Sequence, residues 1–210
     1  MDAFEYESVV LRAVTGPTIR PGGLTLTDRA VGFCSFPPGA RLLDVGCGAG
    51  ATVEHLRSRY GFAAGGVDIS RRLIAEALVR NPALPLAEGR AEALPVEGES
   101  LDGIFCECVL SIVEEPHGAL AEFRRALRSG GFLVLSDMYD REASARGELE
   151  KRLSESGFSI LLREDHTPLL RELAARLVLT HGSLEGVWCN AGGCVAGARS
   201  GYYLLIARKD

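Results

Sequence analysis

An acid and three glycines at alternate positions, Asp44-x-Gly46-x-Gly48-x-Gly50, are the residues best spaced for ligand chemistry in this chain. The apolar run Leu42 to Val45 has the length of a buried strand, and the glycines behind it let the backbone turn where a side chain would obstruct. From Ala51 to Tyr60, Val53, Leu56 and Tyr60 fall at helical spacing, so the turn delivers the chain into a helix whose unpaired N–H groups can face a ligand. Strand, glycine turn and helix in this order cradle a nucleotide-type ligand. Such a ligand calls for a carboxylate at the end of the next strand to take ribose hydroxyls, and Asp68 closes the segment Phe62 to Asp68. Gly46-x-Gly48-x-x-Ala51 also satisfies the looser dinucleotide spacing, which keeps two ligand types open.

Other chemistry-bearing residues fall at the ends of apolar segments. Ligands of open α/β sheets bind outside the carboxyl ends of the strands, so Gly46, Asp68, Arg90, Glu107 and Asp137 should line one rim. Glu107, His117, Asp137, Tyr139, His166 and His181 are candidates for a general base, which is needed only when an attacking oxygen or nitrogen must shed a proton. Of the six cysteines, Cys106 and Cys108 would share one face if their strand continues, Cys189 and Cys194 sit in a glycine-rich stretch, and Cys34 precedes the core. Packing, a structural zinc site and a soft ligand all remain open for them. C-x4-C lacks a second well-spaced pair, so no metal centre is assigned.

The elements that must hold these residues can be read outward from the glycine turn. A chain of 210 residues, 47% hydrophobic and 24% charged, suits a single α/β domain over 1–210 with additions. Residues 1–40 should form a helical cover, with helices from Glu5 to Val14 and from Thr27 or Asp28 to Cys34. Between them Ile19-Arg20-Pro21-Gly22-Gly23 is expected as a loop that could close over the site. Residues 41–163 and 201–210 carry the expected strands, and the 37 residues of 164–200 before the last of them are too many for a hairpin loop and are expected as an insertion. A net charge of -5 argues against a nucleic-acid partner. No apolar run approaches a bilayer span, and Met1 to Glu5 is acidic where a signal peptide would be basic, so no membrane partner and a cytoplasmic location are expected. The cysteines are then expected as thiols.

Three stretches together resemble one family. Asp44-Val45-Gly46-Cys47-Gly48-Ala49-Gly50 resembles motif I of the class I S-adenosylmethionine-dependent methyltransferases. Glu88-Gly89-Arg90-Ala91-Glu92-Ala93-Leu94-Pro95 resembles their adenine-side loop, with Arg90 where an aspartate usually stands. Leu127 to Asp137 resembles their glycine turn followed by an apolar strand and an acid. The resemblance covers roughly residues 40 to 140 and points to the quinone-biosynthesis-like branch, whereas the dinucleotide alternative explains only the first motif.

The resemblance implies a Rossmann-like, doubly wound, seven-stranded sheet, mostly parallel with an antiparallel last strand. It implies S-adenosylmethionine as cofactor, S-adenosylhomocysteine as product, and a small-molecule acceptor, in a monomer or homodimer. The implied cofactor contacts are Asp44, Gly46, Cys47, Gly48, Gly50, Asp68, Ile69, Arg90, Ala91, Glu92 and Glu107, and the implied catalytic acids are Glu107 and Asp137. Methylation of arsenite or a thiol on cysteine thiolates, and cofactor binding without catalysis, are the alternative functions.

Overall fold

Leu101–Glu107 is buried at every position, the pattern of a strand covered on both faces, and it forms β4 in the middle of a seven-stranded sheet. The computed structural model describes residues 9–140, 147–182, 189–190, 193–194 and 200–210. Five strands lead up to and include the centre: β1 (Arg41–Val45), β2 (Ala63–Asp68), β3 (Leu86–Glu88), β4 and β5 (Leu127–Asp140). Helices α3 (Ala51–Tyr60), α4 (Arg71–Arg80) and α5 (Pro116–Ala126) make the crossovers. After β5 come α6 (Glu148–Glu155), β6 (Phe158–Asp165), α7 (Thr167–His181), the two-residue strands β7 (Cys189–Asn190) and β8 (Gly193–Cys194), and β9 (Ser200–Lys209).

The sheet order is β3-β2-β1-β4-β5-β9-β6. Pairings from β3 through β5 are parallel, and β9 runs antiparallel to both β5 and β6. The expected fold is therefore present, with the last strand inserted inside the edge strand β6. Alternation along the strands sends Leu43, Ile104, Leu133 and Leu205 into a core with Leu120 and Phe123 of α5, while Leu42, Phe105, Val134 and Leu204 pack with Val53 and Leu56 of α3 on the other face. Local chemistry sets the helix ends. Ser70 caps α4 by accepting from the Leu73 N–H at 3.1 Å, Pro116 and Pro168 begin α5 and α7, and α7 stops at Gly182.

A third cluster lies at the carboxyl rim of the parallel strands. Val14 of α1 (Val9–Thr15), Leu26 of α2 (Thr25–Cys34) and Leu170, Leu173 and Leu177 of α7 pack around Tyr202 of β9. The Arg176 guanidinium adds a 2.8 Å bond to the Val14 carbonyl. The first helix was expected from Glu5; its opening residues lie outside the described ones. Cys106 and Cys108 do not share a face. The strand ends at Glu107, Cys108 adopts φ +59°, and the broken alternation leaves Cys106 in the α5-side core and Cys108 against the rim cluster.

Candidate active site

The glycine turn is held by its own backbone. Gly46 and Cys47 donate to the Val67 carbonyl at 2.8 and 3.0 Å, Gly50 donates to the Cys47 carbonyl at 2.8 Å, and Gly48 donates to the Asp68 carboxylate at 2.7 Å. Gly46 has φ +75°, and a Cβ placed there would come within 2.1 Å of Val109 Cγ2, so both its backbone and its neighbour require glycine. These amides are turned toward protein, which removes them as donors to a pyrophosphate. What the turn presents instead is carboxylate.

Asp44, at the end of β1, is 3% exposed, and among the described residues no hydrogen-bond donor reaches its carboxylate. Burial first, and then the Glu107 charge, push its carboxyl up to about 8 against the opposing pull of Arg20, with Asp68 adding to the rise. Asp68, at the end of β2, accepts from the Ser70 N–H at 2.8 Å as well as from Gly48, which locks the turn to the start of α4. Ile69 beside it leaves 44% of its surface exposed. Cys47 is buried against Gly66, and burial pushes its thiol well up, so its side chain is packing and only its backbone faces the turn.

The most organised polar cluster was only partly foreseen. Arg20, in the loop between α1 and α2, is 6% exposed and extends into the rim. Its guanidinium meets Glu107 at 2.9 Å, Thr27 Oγ1 at 2.6 Å, Thr52 Oγ1 at 3.0 Å and the Gly23 carbonyl at 3.1 Å. Thr27 stands between the two charges, 3.3 Å from each Glu107 oxygen. One arginine thus joins the loop, α2, the first turn of α3 and the end of β4. Burial holds the Glu107 carboxyl above its ordinary range even beside Arg20. Nothing in the residue types of Thr27 and Thr52 announced this; the signal was a charged residue between Ile19 and Pro21 in a stretch too irregular for a surface helix.

The remaining expected residues spread around the same rim. Asp137 is 1% exposed, and its carboxylate accepts from the Ser111 N–H and hydroxyl at 2.9 and 2.7 Å and from the Met138 N–H at 2.8 Å. Its oxygens anchor the turn Leu110–Ile112 that follows β4. Arg90 lies half-exposed between Glu114 at 3.0 Å and Glu92 at 3.5 Å, beside buried Ala91. His117 is exposed on α5, His166 pairs with Glu164 at 3.1 Å, and the Tyr139 ring packs on Gly201 with Arg163 5.5 Å from its centre. The His181 side chain lies outside the described residues.

The thiols do not converge. Burial pushes Cys34 up to about 12 and raises Cys106 and Cys108 well above the ordinary thiol range, and Cys108 bonds to the Tyr202 hydroxyl at 3.3 Å, which in turn reaches Ser136 at 3.1 Å. Cys189 and Cys194 stand opposite each other across the β7–β8 pair, with their side chains outside the described residues. Among the described residues no three His, Cys, Asp or Glu side chains are placed so that they could hold a metal ion.

Comparison with known proteins places this geometry. Residues 43–135 match the family described as Methyltransferase domain. An O-methyltransferase of Pyrenophora dematioidea is 26% identical over 205 residues, covering 82% of this chain and 76% of that one. Curated relatives are mostly longer, and the chain spans 30% of one and 59% of another. Phosphoethanolamine N-methyltransferase 2 of Haemonchus contortus, solved with S-adenosyl-L-methionine, superposes at TM-score 0.79 with 18% identity, covering 98% of this chain and 57% of that one. The [4+2]-cyclase SpnF superposes at 0.79 with 24% identity over 98% and 93%, so the fold is shared beyond proteins named for methyl transfer. Residues 43–135 are thus similar to methyltransferase domains, and the chain shares its fold with a protein solved with S-adenosyl-L-methionine.

The rim fits that cofactor better than a dinucleotide. Three buried carboxylates, Asp44, Asp68 and Glu107, favour a ligand bearing positive charge, and the Asp44 carboxylate has acceptor capacity that no described residue uses. A pyrophosphate would meet repulsion there.

Proposed function

We propose that this protein transfers the methyl group of S-adenosylmethionine to a small-molecule acceptor. The observation that carries the reading is the convergence of Asp44, Asp68 and Glu107 around the glycine turn, with its amides bound internally. The cofactor, when bound, supplies a methyl group already activated on a positively charged sulfur, so the protein's work is mainly to position and to exclude water.

In this reading Asp68, at the end of β2, takes the ribose hydroxyls. Asp44, Gly46, Cys47, Gly48, Gly50 and Glu107 surround the methionine end, with Cys47 contributing backbone only. Ile69, Arg90, Ala91 and Glu92 border the adenine, where Arg90 offers a flat cation in place of an acceptor. Arg20 holds Glu107 in place and offers its guanidinium to a carboxylate. Asp137 is a positioning residue acting through the turn at Ser111.

The rim cluster of α1, α2 and α7 bounds the acceptor side. Its partly exposed apolar members, Ile19, Leu169 and Met138, favour an acceptor with a hydrophobic body. Incubating the full chain with methyl-labelled cofactor and fractionated metabolites tests the reading. Label should pass to a small molecule. Cofactor affinity without transfer to any acceptor would leave only a binding protein, and transfer to arsenite alone would favour the thiolate route.

A further inference from the structure

Four charged side chains meet at the ends of three adjacent strands. Asp44 comes from β1, Asp68 from β2, Glu107 from β4, and Arg20 reaches them from the loop before α2; all four are buried. Three acids face one cation. Arg20 is engaged with Glu107 at 2.9 Å, and Asp68 accepts backbone N–H groups from Gly48 and Ser70. Asp44 alone has no donor among the described residues and no cation of its own. Stripped of water and set beside two other acids, such a carboxylate is cheaper to keep neutral than ionised.

We propose that Asp44 carries a proton in the free protein and releases it when a sulfonium-bearing cofactor binds, so that this residue tells methyl donor from demethylated product by charge. The inference rests on the reading that the glycine turn holds S-adenosylmethionine. Donor and product share their ribose, adenine, ammonium and carboxylate. They differ by one methyl group and one positive charge.

The proton balance closes over a cycle. On donor binding, Asp44 loses a proton to solvent and its carboxylate faces the added positive charge. Methyl transfer removes that charge from the ligand, Asp44 takes a proton back, and the product is left beside a neutral acid that no longer attracts it. This exchange is separate from any proton lost by the acceptor. The groups facing Asp44 support the assignment: burial and Glu107 push its carboxyl up to about 8, Asp68 adds to this, and Arg20 opposes it. Cys47 and Cys106, which also feel its charge, are pushed well above neutrality and stay uncharged. His55 of α3 acts on Glu107 rather than directly on Asp44.

Calorimetry on the full chain, with S-adenosylmethionine and with S-adenosylhomocysteine, in two buffers of different ionisation heat at pH 7, counts the protons exchanged. The wild type should release about one proton per donor bound and clearly fewer per product bound, whereas Asp44→Asn should release none of this proton with either ligand. In the wild type alone, preference for donor over product should grow by up to about tenfold per pH unit from pH 6 to 8 and then level off. That series decides the matter even if Asp44→Asn fails to fold. A preference independent of pH, or equal proton release from wild type and variant, would overturn the proposal while leaving the cofactor assignment standing. Failure of both ligands to bind would overturn the two together.

Discussion

Removing the Arg20 guanidinium tests whether the loop before α2 is held by the buried pair or merely lies over it. In Arg20→Met the apolar stem is largely kept, and Glu107, 6% exposed, loses the cation paired with it, together with a donor shared with Thr27 and Thr52. Breaking one side of a buried pair costs about 3–5 kcal/mol when the remaining charge cannot escape. Glu107 can escape by taking a proton. Its carboxyl, already raised by burial, would move further above the unfolded value of about 4.3. A carboxyl raised in the folded state contributes stability that is present below the unfolded pKa and lost as pH rises through the folded one. The deficit of Arg20→Met should therefore be about 2 kcal/mol at pH 5, mostly the orphaned hydroxyls and lost packing, and about 4 kcal/mol at pH 8. Urea denaturation of both proteins at the two pH values measures it, and Arg20→Met/Glu107→Gln should recover part of the loss at pH 8. A deficit equal at both pH values, with the double variant losing the sum of the singles, would refute the reasoning.

Other perturbations follow from the same geometry. Gly46→Ala forces a side chain into φ +75° and against Val109; it should cost about 2 kcal/mol or more of stability, and Val109→Ala should relieve part of that in thermal melting. Asp68→Ala removes the acceptor for Gly48 and the proposed acceptor for the ribose, and titration calorimetry should show S-adenosylmethionine binding weakened by about 1.5–3 kcal/mol; unchanged affinity would take Asp68 out of the site. Because Asp44, Glu107 and Asp137 are all raised by burial, the wild-type protein without cofactor binds more protons folded than unfolded between about pH 4 and 8. Its stability should decline as pH climbs through that window, which denaturation midpoints at several pH values will reveal; a rise would mean that these acids are ionised in the fold.

The sheet was legible because its signals are local. A continuous apolar run such as Leu42 to Val45 or Phe132 to Leu135 reads as a strand buried on both faces, and Ser70 or Gly182 marks a helix end by its own backbone chemistry. Residues that depend on distant parts of the chain were not legible. Arg20 sits 87 positions before the Glu107 it pairs with, and the α1, α2 and α7 helices that pack with Tyr202 beside the rim come from opposite ends of the sequence. The Ser111 turn that occupies the oxygens of Asp137 comes from a segment with no distinctive pattern. Cys106 and Cys108 obeyed strand alternation on paper, and one left-handed residue undid it. β5 and β9 extend each other beyond their apolar runs by pairing from Phe132 with Arg208 to Asp140 with Ser200.

That long pairing has a consequence for the order in which the molecule can assemble. As the chain emerges from the ribosome, β5 is made well before β9, and β6 can take its place beside β9 only once residues 200–209 exist. Until then β5 presents an unpaired edge, and Leu26 and Val14 wait for Tyr202 to complete the cluster around them. A nascent chain halted before residue 200 would hold the glycine turn and Asp68 already in β1 and β2, yet lack the Tyr202 with which α1, α2 and α7 pack. Contacts this far apart in sequence make folding slow and leave apolar edge exposed meanwhile. Synthesis of these late residues is therefore the step at which holdase chaperones and proteases have most to recognise.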